Sequence, residues 1–258
     1  VIIGAGLSGI GAALHLTEKC PDRSYVILES RSAIGGTWDL FRYPGVRSDS
    51  DMYTLGYNFK PWTSPKGIAD GKDIREYIWE AAKEHNIEKN IRFGHKVLSA
   101  SWSSKAARWT LEVQLTSNGE VKRYECNFFL SCTGYYNYDH GYQPEFAGSE
   151  NFKGDIIHPQ KWDENYDYSG KKVVVIGSGA TAVTLVPAMA DKAQHVTMLQ
   201  RSPSYVMALP QDDPMVNGLR KFLPETWVYR ITRTRNIAFA SMMYNFCQTF
   251  PNASRRLI

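Results

Sequence analysis

Two glycine-rich turns have the spacing that phosphate binding requires. The first reads Gly4-Ala5-Gly6-Leu7-Ser8-Gly9 and directly follows the apolar Val1-Ile2-Ile3. The second reads Gly177-Ser178-Gly179-Ala180-Thr181-Ala182 and directly follows Val173-Val174-Val175-Ile176. A strand, such a turn and a helix aim backbone N–H groups and the positive end of the helix dipole at an anion. In the first turn Gly4 permits the tight bend, Gly6 lets a pyrophosphate approach the backbone, and Gly9 lets helix and strand pack closely. The next apolar run, Tyr25-Val26-Ile27-Leu28, ends in Glu29, where a carboxylate hydrogen-bonds ribose hydroxyls. The second turn carries Ala182 in place of its third glycine, and the strand after it, Val196-Thr197-Met198-Leu199, ends in Gln200-Arg201-Ser202. A guanidinium at that point forms charge-assisted bonds to a 2′-phosphate that a carboxylate would repel. The first turn is therefore expected to take a dinucleotide with an unphosphorylated ribose, such as FAD, and the second to prefer NADP over NAD. The bland alternative for Arg201 is a solvated surface arginine.

Each turn needs a βαβ unit and hence a parallel sheet to hold it. Ile10, Leu14 and Leu16 are the packing positions of the first helix. Residues 34–67 are rich in Gly, Pro and aromatics with little periodicity, a composition usual for functional loops. A helix capped by Asp73 is predicted next, with Ile74, Tyr77, Ile78, Ala81 and Ala82 on one side. Residues 96–102, 109–115 and 121–130 read as a strand meander, with Asn118-Gly119 as a hairpin turn. The second unit begins at Lys171, and 183–190 are part of its helix. From about Leu219 the pattern is helical, basic and aromatic, with Trp227, Tyr229, Ile231, Phe239, Met242, Met243 and Phe246. The fold class expected is α/β: two three-layer, Rossmann-like dinucleotide-binding domains with a small antiparallel meander and a helical excursion. Residues 1–140 are expected to be the first part of an FAD-binding domain, 141–170 a linker, and 171–258 an incomplete NADP-binding domain whose helical excursion starts near 205.

The 258 residues are 43% hydrophobic and 22% charged, ordinary for a globular protein with a core. A net charge of +4 suits anionic cofactors but is too small, and too dispersed, to point to nucleic acid. Cys20, Cys126, Cys132 and Cys247 form no C-x-x-C pair and no zinc spacing, which fits a reducing, cytoplasmic compartment and no metal. No apolar stretch is long enough to span a bilayer. The basic aromatic tail could lie on a membrane surface, but a helical cover over the substrate pocket is the preferred reading, because its aromatics are spread along the segment. Val1 starts inside a strand with no Met before it, and Arg255-Arg256-Leu257-Ile258 gives no closing signal, so the chain is expected to be part of a longer protein. Oligomeric state is not legible.

Between the two turns lies F-x-G-x-x-x-H-x-x-x-W, made by Phe152, Gly154, His158 and Trp162 and followed by Asp163. With it stand Gly35-Gly36-Thr37-Trp38, Tyr43-Pro44-Gly45-Val46-Arg47-Ser48-Asp49 and Gly134-Tyr135-Tyr136-Asn137-Tyr138. Across essentially its whole length the chain resembles the flavin-dependent Baeyer–Villiger monooxygenases, in particular their ethionamide-activating branch. The resemblance implies that NADPH reduces FAD and that O2 then gives a C4a-peroxyflavin. That species converts a ketone to an ester or lactone, or oxygenates a sulfide or thioamide. It also implies site roles. Gly4, Gly6, Ser8 and Gly9 would cradle the FAD pyrophosphate, and Glu29 its ribose. Gly36, Thr37, Trp38, Asp39 and Leu40 would line the flavin, and the backbone at Val97 the adenine. Arg47, Ser48 and Asp49 would reach the flavin–nicotinamide junction, with Asp49 serving both cofactors and supporting a catalytic arginine. Gly177, Ser178, Gly179, Ala180, Thr181, Ala182, Val183, Arg201 and Ser202 would bind NADP. His158 is read as a residue coupling the two nucleotide domains, away from the chemistry.

The catalytic arginine and the returning part of the FAD domain are expected outside these residues. Arg233, Arg235, Arg255 and Arg256 do not stand in the matching context, so this chain alone is expected to be inactive. The rival enzyme is an N- or S-oxygenating flavin monooxygenase, whose fingerprint ends in a different aromatic; Trp162-Asp163 argues against it. A flavin disulfide reductase would need a redox cysteine pair, whereas Cys126 and Cys132 read as small core residues. A non-catalytic dinucleotide-binding module is the third alternative.

Overall fold

The computed structural model describes residues 1–202, 206 and 210–257, so the expected start of the helical excursion near 205 lies outside the described residues. In chain order the first elements are β1 (Ile2–Ile3), α1 (Leu7–Lys19), β2 (Ile27–Leu28), α2 (Thr37–Leu40), α3 (Met52–Leu55) and α4 (Gly71–Glu84). Then come β3 (Ile91–Arg92), β4 (His95–Ser103), β5 (Arg108–Leu115), β6 (Val121–Cys126) and β7 (Leu130–Ser131). The remainder is β8 (Lys172–Ile176), α5 (Ala180–Ala190), β9 (His195–Leu199), α6 (Pro214–Leu219), α7 (Glu225–Thr249) and α8 (Pro251–Leu257). The chain divides into two units, Val1–Arg42 with Gly71–Trp162, and Tyr43–Asp70 with Asp163–Ile258.

The first unit is built on a parallel sheet in the order β3-β2-β1-β7, beside an antiparallel meander β4-β5-β6. Helix α1 buries Ile10, Ala13 and Leu14. Helix α4 buries Ile74, Tyr77, Ile78, Ala81 and Ala82, the face its periodicity predicts. Asp73 is not its cap: the helix begins at Gly71, and Asp73 lies inside the first turn, where an acid still complements the dipole. The apolar run 121–130 is two strands, not one. It leaves the meander at Cys126 and re-enters beside β1 as β7, with Ile2 opposite Leu130. Local pattern cannot show that a strand changes sheets here, because neither β6 nor β7 has a wholly buried residue to mark which sheet it joins. Leu28, Leu111 and Val113 form a shared core with Ile3, Val97, Trp109 and Cys126 around it, joining meander to sheet.

The second unit holds a two-stranded parallel sheet, β8-β9, with α5 packed on it through Ala182, Leu185 and Met189. Val174, Ile176 and Leu199 stay exposed on it. Residues 43–70, expected within the first domain, pack with this unit instead. Gly45 takes a left-handed φ of 77° against α5, and a Cβ there would lie 2.5 Å from the Thr184 carbonyl oxygen. Asp51 caps α3 by accepting from the Thr54 N–H at 3.0 Å, and it also accepts from Asn236 on α7 at 2.8 Å. At the other end of α3, Arg233 Nη1 donates to the carbonyls of Tyr53 and Gly56 at 2.7 and 2.9 Å. Those are groups that a helix C-terminus leaves without partners. The Tyr229 hydroxyl donates to the Tyr57 carbonyl at 2.9 Å, and Arg220 to that of Thr63 at 2.7 Å. Long-range side-chain donors on α7 and at the end of α6 thus hold down a segment with little regular structure of its own.

Candidate functional site

In the first unit the turn Gly4–Gly9 lies between β1 and α1, and its three glycines prove unequal. Gly4 has φ of 101°, and a Cβ there would stand 2.5 Å from the Cys132 carbonyl oxygen. A Cβ on Gly9 would stand 1.9 Å from the Gly4 carbonyl oxygen, so α1 docks on β1 only without a side chain. Gly6 has an ordinary φ of −82°, and its nearest neighbour, Gly36 Cα, would lie at 3.5 Å, an ordinary contact. Nothing in the chain requires glycine at 6; what it keeps open is the approach to the α1 N-terminus. No side chain caps that helix and no acid stands in its first turn, where Ser8 lies exposed. The uncompensated end is suited to a diphosphate.

Glu29 is buried at the end of β2. One carboxylate oxygen accepts from the Ala5 N–H at 2.7 Å and the other from the Arg31 N–H at 2.8 Å. The Ser30 hydroxyl also donates to the second oxygen, at 3.4 Å, so the group is oriented by the turn while the oxygen facing Ala5 keeps a lone pair to accept from a ribose hydroxyl. The flavin loop follows. Gly36, with φ of 56°, opposes Gly6, and a Cβ on it would come within 3.0 Å of Gly6 Cα. Thr37, Trp38, Asp39 and Leu40 form α2. Asp39 is buried, and its carboxylate is taken up by Arg31 and Arg42 at 2.6 Å and Arg75 at 3.5 Å. Three guanidinium groups around one carboxylate leave an excess of positive charge at this loop, a role for Asp39 that no local pattern announces. Val97 sits in β4 opposite Val113, where the ladder register shifts before Ser99. Cys126 packs against the shared core, and burial pushes the Cys132 thiol up from its ordinary range; both are free thiols and only partly buried.

The fingerprint folds on two glycines of the same unit. The Phe152 ring turns back over Gly154, whose Cβ would lie 2.6 Å from Phe152 Cζ. His158 caps the 3-10 turn Pro159–Lys161, its Nδ1 accepting from the Gln160 N–H at 3.2 Å. Trp162, partly buried, closes that turn. Gln160, buried and unremarked in the sequence, donates from Nε2 to the Asn137 carbonyl at 2.7 Å.

In the second unit Gly177 has φ of 128° after β8, and Gly179 precedes α5 with φ of −81° and nothing within 4 Å of its built Cβ. Again no side chain caps the helix and its first turn, which contains Thr181 and Ala182, carries no acid. Ala182 is buried in the contact of α5 with the sheet, and Val183 is partly buried beside it. Ser178 Oγ donates to the Ser202 carbonyl at 3.4 Å, bringing the end of β9 beside the turn, and Arg201 is exposed there. Arg47 pairs with Asp70 through the backbone, as an isolated antiparallel bridge, and Asp49 is exposed. Ser48 is buried and its hydroxyl donates to the Ser50 carbonyl at 2.7 Å, so its first duty is to shape the loop. Arg233 and Arg235 are structural: the first caps α3 and the second pairs with Asp213.

Two βαβ units, each with a glycine turn between its first strand and an uncapped helix, define an α/β protein of the two-dinucleotide class. The family model described as flavin-binding monooxygenase-like matches residues 63–219, and one described as an NAD(P)-binding Rossmann-like domain matches residues 2–61. The chain belongs to the flavin-binding monooxygenase-like family. It is 55% identical over its whole length to the FAD-containing monooxygenase EthA of Mycobacterium tuberculosis (strain ATCC 25618 / H37Rv), of which it covers 52%. The crystal structure of OTEMO with FAD and NADP superposes with a TM-score of 0.67 at 30% identity, over 79% of this chain and 39% of that one. Cyclohexanone-bound cyclohexanone monooxygenase superposes with a TM-score of 0.73 at 26% identity, over 85% of this chain and 42% of that one. The chain spans about half the length of the curated relatives it matches. Among the described residues no helix is long and apolar enough to cross a membrane.

Proposed function

We propose that this chain forms the FAD- and NADPH-binding part of a monooxygenase that inserts one oxygen atom of O2 into a small ketone, giving an ester or lactone. Sulfides and thioamides are further substrates. The observation that carries the reading is the pair of middle glycines, Gly6 and Gly179. The chain itself does not need either one, and each stands at a helix N-terminus with no capping side chain and no acid. Glu29 beside one and Arg201 beside the other assign the unphosphorylated and the 2′-phosphorylated ribose. The names and bound cofactors of the relatives support the same pairing, and the bound cyclohexanone of one neighbour supports a ketone.

When bound, the two cofactors supply hydride transfer and the reduction of O2. The chain's own residues do the rest. Gly4, Gly6, Ser8 and Gly9 hold the FAD diphosphate and Glu29 its ribose, while the backbone at Val97 meets the adenine. Gly36 to Leu40 line the flavin, positioned through Asp39 and its three arginines. Gly177 to Val183 with Arg201 and Ser202 hold NADP. Arg47, Ser48 and Asp49 belong to the NADP site, and the Asp49 carboxylate fixes a neighbouring cation. Such fixed charge in a site closed to water stabilises the oxygen-transfer transition state. The setting is the reducing cytoplasm.

The test supplies the full-length protein with NADPH and a cyclic ketone. One lactone per NADPH consumed is the expected result. Sulfoxidation without any lactone would move the assignment to the N- or S-oxygenating monooxygenases. Bound yellow cofactor without NADPH oxidation would leave a binding module.

A further inference from the structure

His158 is held by residues outside the fingerprint pattern. A Cβ built on Gly141 would lie 2.0 Å from His158 Cε1, 2.4 Å from Nε2 and 2.7 Å from Nδ1. The imidazole therefore fills the space a side chain at 141 would need. Gly141 is not among the residues with a positive φ, so the backbone does not demand glycine there; the ring does. The Gln160 N–H donates to Nδ1, so that nitrogen carries its lone pair and the ring proton sits on Nε2. The Gln160 side chain then ties the fingerprint to the Asn137 carbonyl. One residue on, the Tyr138 hydroxyl lies 3.4 Å from the built Cβ of Gly36. The segment 137–141 thus touches His158 at one end and the flavin loop at the other.

We propose that Gly141 is a positioning residue for His158: its bare Cα is the seat of the imidazole, and Gln160 locks that seat to the segment that reaches the flavin loop. The inference rests on the proposed function only for its kinetic readout. A methyl group at 141 has to evict the ring, because two atoms cannot share 2.0 Å. The ring can leave by rotating about its own side-chain torsions, so eviction leaves the backbone fold in place.

The test compares Gly141→Ala, His158→Ala and the double variant. In cofactor-free protein, diethyl pyrocarbonate labelling of His158, read by mass spectrometry, should speed up roughly tenfold in Gly141→Ala as the ring loses its cover. In FAD-loaded full-length protein, stopped-flow reduction by NADPH should slow on the order of tenfold in each single variant, with FAD content unchanged. The double variant should be no slower than His158→Ala, because a seat without its occupant has nothing left to position. Multiplying losses in the double variant, or unchanged labelling in Gly141→Ala, would overturn the proposal. Should Gly141→Ala fail to fold, Gln160→Met replaces it. That variant adds no bulk at 141 and removes the bond to Asn137, and unchanged labelling there is equally fatal. A wild-type flavin that NADPH does not reduce would sink the monooxygenase reading, while the labelling experiment would still decide the seat.

Discussion

Gly6 and Gly9 stand three residues apart in one turn, yet their replacement by alanine should have opposite consequences. At Gly9 the added Cβ would sit 1.9 Å from a backbone oxygen, about 1.4 Å inside the closest comfortable C–H···O approach of about 3.3 Å. Overpacking costs about 1–3 kcal/mol where side chains can yield. Here the obstacle is the Gly4 carbonyl, in a turn whose Gly4 N–H is bonded to Leu28 at 2.8 Å, so the upper end applies. For a protein of this size about 3 kcal/mol lowers Tm by roughly 6–12 °C. At Gly6 the Cβ makes only a 3.5 Å contact and the φ is permitted. The gain from a less flexible unfolded chain, about 0.4–1 kcal/mol, roughly offsets the poorer helix cap that alanine makes. Gly6→Ala should therefore melt within about 3 °C of wild type without cofactor. Its FAD affinity should nevertheless fall. A methyl group in front of the α1 N-terminus lengthens charge-assisted hydrogen bonds worth about 1.5–3 kcal/mol each, on the order of tenfold to a hundredfold in Kd. Thermal melts of cofactor-free protein, with FAD titration followed by flavin fluorescence, separate the two effects. The reasoning is refuted if Gly6→Ala binds FAD as wild type does, or if Gly9→Ala melts where wild type melts.

Three further outcomes follow from the second unit. Arg201→Gln should raise the KM for NADPH by roughly tenfold to a hundredfold and leave that for NADH almost unchanged, since one charge-assisted contact to a 2′-phosphate is lost; equal effects on both would remove Arg201 from the site. Arg233→Met should destabilise the protein by about 1–3 kcal/mol, by stranding the α3 carbonyls, while FAD content is kept; loss of turnover without loss of Tm would mean a chemical role instead. Arg235, donating to Asp213, holds that carboxyl below the usual aspartate range. The pair therefore adds stability at neutral pH that disappears as pH falls through the lowered value. With Arg235 partly exposed, the gain is about 1 kcal/mol or less. Asp213→Asn should melt slightly below wild type at pH 7, the two curves should converge below about pH 4, and a constant gap down to pH 3 would contradict the pairing.

Local chemistry made parts of this molecule readable. A glycine turn between a short apolar strand and a helix is a contiguous signal, as is the 3.6-residue spacing that buries Ile74, Tyr77, Ile78, Ala81 and Ala82. Glu29 was legible because its distance from the turn is set by one helix and one strand. Features that depend on distant partners were not. The anchoring of Tyr53 by Arg233 joins positions 180 apart in the chain, so nothing near residue 53 announces that 43–70 packs with the second unit. The arginine cluster on Asp39 draws its third member from α4. The run 121–130 hid a change of sheet because neither half has a wholly buried residue to mark the sheet it joins. Gly141 carries no turn signal at all, and its requirement appears only once the His158 ring is placed against it.

Under the function proposed, the full-length protein consumes NADPH and O2 together and places one oxygen atom in a carbonyl substrate. Incubating the full-length protein with NADPH, a cyclic ketone and 18O2, and weighing the product by mass spectrometry, tests it directly. A lactone carrying one 18O atom is the expected product. A lactone without label, or NADPH oxidation that yields hydrogen peroxide and returns the ketone unchanged, would contradict it.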